Sequence, residues 1–150
     1  MSYRLHKWPE DVQTLTSPSE PIEELTGELR DLAEMMVQLT GPDKGTAGFA
    51  AVQFGVLKRL IVFQRDTQTI ISMINPTIIK QRGEQTVQEG CMSVPGKLYM
   101  VSRPAIVTVT GHDLAGNRLT VKAHDFLAQV IKHECDHCEG VLVYQRGRLI

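Results

Sequence analysis

Apolar residues recur at spacings of three and four through Ile22, Leu25, Leu29, Leu32, Met36 and Leu39. This period predicts an amphipathic helix that runs to about Thr40. Pro21 suits its opening, and Glu23 and Glu24 suit a first turn where the helix dipole favours acids. Gly27 falls inside it and weakens it slightly. Gly41-Pro42-Asp43-Lys44-Gly45 ends it as a loop. Ahead of the helix, residues 8 to 22 carry Pro9, Pro18 and Pro21 and read as an irregular arm.

Beyond the loop the pattern changes period. Arg59 to Phe63, Thr69 to Ile74 and Thr77 to Lys80 are short β-rich runs divided by turn residues. Ala105 to Thr110 and Arg118 to Lys122 flank Ala115-Gly116-Asn117 and read as a hairpin. From about His124 the helical period returns, with Gly140 placed as a C-terminal cap. Val141 to Val143 reads as a last short strand. These elements predict an α+β fold, with short antiparallel strands packed around a C-terminal helix and an N-terminal amphipathic helix.

On the wheel of that last helix, Phe126, Leu127, Val130, Ile131, His133, Glu134, His137 and Cys138 share an apolar, core-facing side. Asp125, Gln129, Lys132, Asp136 and Glu139 take the polar side. A carboxylate on the core side is costly without a partner. Histidines four apart project about 40° from each other, so one metal ion can be gripped by both while Glu134 stays beside it. His133-Glu134-Cys135-Asp136-His137 is therefore an HExxH pattern in a setting that suits metal chemistry.

A length of 150 residues predicts one domain, 1–150. The apolar content of 42% and charged content of 22% are those of a soluble globular protein. The net charge of −1 is spread along the chain without a Lys/Arg cluster, which argues against nucleic-acid binding. No stretch has the length of a membrane span, and the N-terminus has no apolar secretory region. The three cysteines do not read as a disulfide framework and fit a reducing cytoplasm.

A catalytic metal of this kind needs a third protein ligand and an open position for water. Thirteen residues follow His137, and position 143, where the extended pattern HExxHxxGxxH wants histidine, holds Val143. Cys138 and Glu139 sit too near the histidines in the chain to fold back easily. The third ligand is therefore expected upstream. Cys91, in Glu89-Gly90-Cys91-Met92-Ser93-Val94-Pro95-Gly96, is the strongest candidate, since a thiolate suits zinc or iron(II). A buried free thiol is the plain alternative. His6, His112 and His124 are weaker candidates.

Glu89 to Ser93 and His133 to His137 resemble the EGCxS and HExDH motifs of the peptide deformylases. Thr46 to Gln53 resembles the same family's GxGxAAxQ. The motifs occur in the family's order, and the resemblance covers nearly the whole chain. It implies Cys91, His133 and His137 as metal ligands and Glu134 as catalytic acid and base. It implies Gln53 and the backbone N–H of Met92 as donors to the oxyanion, with Ala47, Gly48 and Gly90 beside the substrate backbone. Val130, with Phe126, is expected to flank the methionine side chain. One divalent ion per chain is implied, iron(II) by preference, with zinc, nickel or cobalt as substitutes. The implied reaction removes formyl from the N-terminal formylmethionine of nascent polypeptides, met at the ribosome. The resemblance fixes no oligomeric state.

The sequence departs from the family pattern at Thr46, which replaces the first glycine of GxGxAAxQ, and at Lys132, where glutamine is usual. Cys138 replaces an aliphatic residue and is expected to be an oxidation liability. The residues after the motif leave no room for the long C-terminal helix of many bacterial members. Two other functions compete: a metalloprotease acting on ordinary peptide bonds, and a structural metal site or catalytically silent module. The first lacks a downstream ligand. The second wants a fourth protein ligand, and Cys135 faces away from the histidines.

Overall fold

The structure is a computed structural model that describes residues 3–150. Strands β1 (Gly48–Ala50), β2 (Leu60–Gln64), β3 (Ile70–Arg82), β6 (Ile106–His112) and β7 (Arg118–His124) form one antiparallel sheet in the order β1-β2-β3-β6-β7. A second antiparallel sheet comprises β4 (Gln85–Cys91), β5 (Val94–Arg103) and β8 (Gly147–Leu149). Helix α1 (Val12–Leu15) is a single turn, α2 (Gly27–Gln38) covers one face of the larger sheet, and α3 (Asp125–Cys138) covers the other.

The unbroken apolar run of β2 follows from that layering. Leu60 and Val62 pack toward α2, against Leu32 and Met36, while Ile61 and Phe63 pack toward α3, against Ile131 and Cys135. A strand covered on both faces has no solvent side, so it cannot alternate apolar with polar. Helix α3 is itself covered twice, because the smaller sheet lies against its remaining side. Asp136 and Gln129, on the side expected to be polar and solvated, are buried there. Phe126, expected in the core, is 64% exposed at the start of the helix.

Helix α2 starts later than the periodicity predicts. Thr26 is its N-cap, with its hydroxyl accepting from the N–H of Leu29, so Gly27 opens the helix rather than interrupting it. Glu28 is the acid of the first turn, in place of Glu23 and Glu24. The reason lies in Asn75, whose side chain accepts from the N–H of Ile22 and donates to its carbonyl. The second bond engages the carbonyl of Ile22, which a helix begun there would direct into its own next turn. Ile22 still reaches the core, but from an irregular segment.

The two runs read as separate strands around Pro76 are one long strand, β3, with register shifts between Ile74 and Thr77 and between Ile78 and Lys80. A strand tolerates a proline at such an irregularity. The stretch expected as a shaped loop around Cys91 is instead the tip of a β4–β5 hairpin. The chain end differs too, since Val143–Gln145 is a 3₁₀ turn and the last strand is Gly147–Leu149.

Gly140 ends α3 as expected, at φ +75°, and a Cβ there would lie 2.5 Å from the carbonyl oxygen of Thr16. The same approach docks the N-terminal arm, where the N–H of Ser19 donates to the carbonyl of Cys138. Gly140→Ala should therefore lower stability by about 1–3 kcal/mol. Thermal unfolding measures this, and an unchanged midpoint would mean that the arm does not press on this turn.

Candidate metal centre and substrate cleft

Cys91 ends β4, and His133 and His137 occupy successive turns of α3. Their ligand atoms all lie within 4.8 Å of one another, and Cys91 Sγ is 3.4 Å from His137 Nε2. The ring of His133 is oriented by Glu89, whose Oε2 is 2.7 Å from Nδ1. A proton on Nδ1 donated to that carboxylate leaves the Nε2 lone pair for a metal, a carboxylate–histidine arrangement that fixes both tautomer and angle. Glu89 was legible in the sequence only as a motif letter; its role needs the fold.

Burial alone would raise the thiol of Cys91, yet the charges and hydrogen bonds of His137 and His133 hold it well below its ordinary value. His133 moves the opposite way: burial would lower it, but Cys91 and Glu89 raise it well above the usual imidazole range. The donor set thus favours a thiolate with a positive partner, and a divalent cation is the partner that two imidazoles and a thiolate can share. Among the described residues no fourth protein donor joins the group. The residues fit a catalytic rather than a closed structural site.

Glu134 is 4% exposed, and its Oε1 has no hydrogen-bond partner in the protein. Burial pushes its carboxyl up to about 7, with the charges of His133 and His137 pulling against that rise. Gly48 is what lets the carboxylate lie against β1. A Cβ there would lie 2.6 Å from the carbonyl oxygen of Val62 and 3.0 Å from Glu134 Oε2. Gln53, 2% exposed, is clamped at both ends of its amide. Its Oε1 accepts from the N–H of Ala50 at 2.9 Å, and its Nε2 donates to Ser93 Oγ at 3.1 Å while lying 3.9 Å from Cys91 Sγ.

These groups open into a cleft of about 770 Å³. Thr46, Ala47 and Gly48 line it on one side, and Glu89, Gly90, Cys91 and Met92 on another. Val130 and Phe126 also line it, joined by Leu98 from β5, which the sequence reading did not single out. Each wall is a sheet edge, because β1 ends the larger sheet and β4 ends the smaller. His6 lies against Gly55, and His112 and His124 are exposed on strands β6 and β7, so none of the three joins the ligand group.

Behind the ligands is a buried ionic network that sequence reading missed. Arg103, 2% exposed, donates from Nε to Glu89 Oε1 at 3.0 Å, from Nη2 to Glu89 Oε2 at 2.5 Å and from Nη1 to Asp136 Oδ2 at 2.6 Å. Arg146 and Lys132 complete the coordination of Asp136. Lys132 thus points away from the ligands into this network. Cys138 is not the expected oxidation liability. It is 1% exposed, and burial pushes its thiol up to about 12, so it packs as an inert apolar group.

Burial would raise Glu89, but hydrogen bonds from His133 and Arg103 bring it down to about 2 from an ordinary 4.5. Asp136 is likewise lowered: burial opposes the shift, and Arg146 and Arg103 outweigh it. A depressed carboxyl stabilises the fold above its unfolded value and loses that stabilisation as pH falls through the folded one. For Glu89 the window runs from about pH 4.5 to about 2. Arg103→Met should cost about 3–5 kcal/mol near neutral pH by leaving two carboxylates buried without their shared cation. The deficit should shrink as pH is lowered. Denaturant titrations at two pH values measure both effects, and an equally stable variant would show that the network is expendable.

Residues 3–149 match the polypeptide deformylase family. The chain is 40% identical to the peptide deformylase of Syntrophomonas wolfei over 146 residues, covering 97% of this chain and 93% of that one. It is also 40% identical to that of Halothermothrix orenii over 129 residues, covering 85% and 83%. Among solved structures it superimposes on a peptide deformylase from Synechococcus elongatus in complex with actinonin. That match has a TM-score of 0.87 and 33% identity, over 97% of this chain and 79% of the other. A probable peptide deformylase from Synechococcus phage S-SSM7 also gives 0.87, at 29% identity over 97% and 99%. With a family match over nearly its full length and relatives sharing two residues in five, the chain belongs to the peptide deformylase family.

Proposed function

We propose that residues 1–150 act as one catalytic domain that hydrolyses the formyl group from the N-terminal formylmethionine of nascent polypeptides, with Cys91, His133 and His137 holding one divalent ion. Iron(II) is the ion we favour, with zinc, nickel or cobalt able to replace it, because a thiolate with two imidazoles suits all four. The observation that carries the reading is the convergence of these three donors beside a buried carboxylate, Glu134, that has no hydrogen-bond partner at Oε1. We place the reaction in the cytoplasm, at the ribosome, where formylated N-termini emerge. All three cysteines are free thiols, and no helix among the described residues is long and apolar enough to cross a membrane.

When bound, the ion supplies Lewis acidity, which brings the pKa of water toward neutrality and polarises a carbonyl. The residues around it do the rest. Water adds to the formyl carbon, and Glu134 takes its proton. The same carboxyl then passes that proton to the departing nitrogen as the C–N bond breaks, leaving formate and a free amine. A carboxyl raised to about 7 is suited to both transfers, and the charges of His133 and His137 oppose the rise that burial imposes. The Gln53 amide has one hydrogen engaged by Ser93, and its contact to Cys91 is long at 3.9 Å, so the second is free to meet the developing oxyanion. With the backbone N–H of Met92 it forms a donor pair, each worth about 3 kcal/mol when well placed.

Substrate selection follows from the walls. Val130, Phe126 and Leu98 offer apolar surface for a methionine side chain. An extended peptide can pair with the open edge of β1, a common mode of peptide capture. The formyl group carries hydrogen where an acetyl carries methyl, and a methyl would crowd the approach between Gly48 and Gly90.

Metal-loaded protein should release formate from formyl-Met-Ala-Ser, and little product from acetyl-Met-Ala-Ser or an unblocked peptide. A metalloprotease would cut internal bonds without formate, and a structural module would do neither. Absence of formate with iron(II), nickel(II) and cobalt(II) would overturn the reading. Glu134→Gln should retain its metal and lose roughly a hundredfold or more in turnover. Elemental analysis should find one metal per chain in the wild type and far less in Cys91→Ala; equal contents would remove Cys91 from the ligand set.

A further inference from the structure

Thr46 stands where the family's motif has glycine, and its side chain does something a glycine cannot. Its hydroxyl donates to the carbonyl oxygen of Gly48 at 3.2 Å. Strand β1 pairs on one side with β2, with Gly48 opposite Phe63, and the N–H of Gln64 donates to the carbonyl of Ala47. Backbone groups alternate sides along a strand, so the N–H and C=O of Gly48 point the other way, toward the cleft. Ala50 shares that orientation, and its N–H is taken by the Gln53 side chain. Gly48 therefore presents the acceptor that a peptide laid along this edge would use, immediately beside Glu134.

We infer that Thr46 is a positioning residue that sets how tightly peptides bind, by competing with the incoming peptide N–H for the Gly48 carbonyl. The inference rests on the reading of this cleft as a peptide-binding site. The backbone of Thr46 is held independently of its hydroxyl, because its carbonyl accepts from the N–H of Gly41 at 2.9 Å. The hydroxyl is thus free to rotate away when a peptide arrives, at the cost of the bond it gives up. It touches no reacting atom and carries no charge, so its effect falls on binding and leaves the chemical step alone.

Thr46→Val keeps the β-branched shape and removes the donor, whereas Thr46→Ser keeps the donor. On metal-loaded enzyme, Thr46→Val should lower KM for formyl-Met-Ala-Ser about three- to tenfold, the span of one net hydrogen bond. Its kcat should stay within about twofold, and Thr46→Ser should behave as wild type. The dissociation constant of the product peptide Met-Ala-Ser, measured by calorimetry on the same three proteins, should fall in parallel in Thr46→Val alone. An unchanged or raised KM and dissociation constant in Thr46→Val would overturn the inference, since the carbonyl would then be serving both donors at once. So would a Thr46→Ser that tracks Thr46→Val. The calorimetric arm needs no turnover. A wild type that releases no formate sinks the deformylase reading, and the three dissociation constants still decide the role of Thr46.

Discussion

One buried guanidinium ties the structure together. Arg103 leaves β5, grips Glu89 on β4 through two nitrogens, and reaches Asp136 on α3 with a third. Glu89 in turn orients His133. The contact therefore fixes the β4–β5 hairpin relative to the helix, and with it the distance between the cysteine on one element and the histidines on the other. A planar fork of donors suits this task better than a lysine would, since it meets two carboxylates at set angles. Desolvating three charges is expensive, and apolar packing of equal volume would serve stability as well or better. What the ionic arrangement adds is registry at a site where small displacements of a ligand matter.

The cleft shows the same economy of means. Two sheets that never pair with each other present their free edges on either side of the donor triad, so an extended peptide has a backbone to read on each wall. Gly48 keeps one wall thin enough for Glu134 to lie against it. The burial of Glu134 has a local cause: β1 passes so close to α3 that a Cβ on Gly48 would lie 3.0 Å from its Oε2. Thr46 adds to that wall a hydroxyl bonded to the carbonyl of Gly48.

Much of this was legible in the chain. HExxH on a helix needs only the 3.6-residue period to bring His133, Glu134 and His137 to one face, because the geometry is local. The expectation of an upstream third ligand drew on Val143, which stands where the extended pattern wants histidine. Cys91 stood out by its glycine-rich surroundings and its likeness to a known motif, and the structure brings it to the histidines. The strands carried by β2, β6 and β7 were readable from period and turn residues.

Tertiary structure decided the rest, and for the start of α2 and the burial of Asp136 the reason is a partner distant in sequence. The start of α2 was settled by Asn75, fifty-three positions from Ile22. The β4–β5 hairpin was obscured because Gly90, Pro95 and Gly96, which look like loop residues, sit in its strands where the register shifts between Glu89 and Cys91. Asp136 looked solvent-facing on the wheel because a wheel describes one helix alone and cannot show a second sheet packed on its polar side. Periodicity reports which face of an element differs from the other; only the fold reveals what covers each face, and so whether a charge there is solvated or bound.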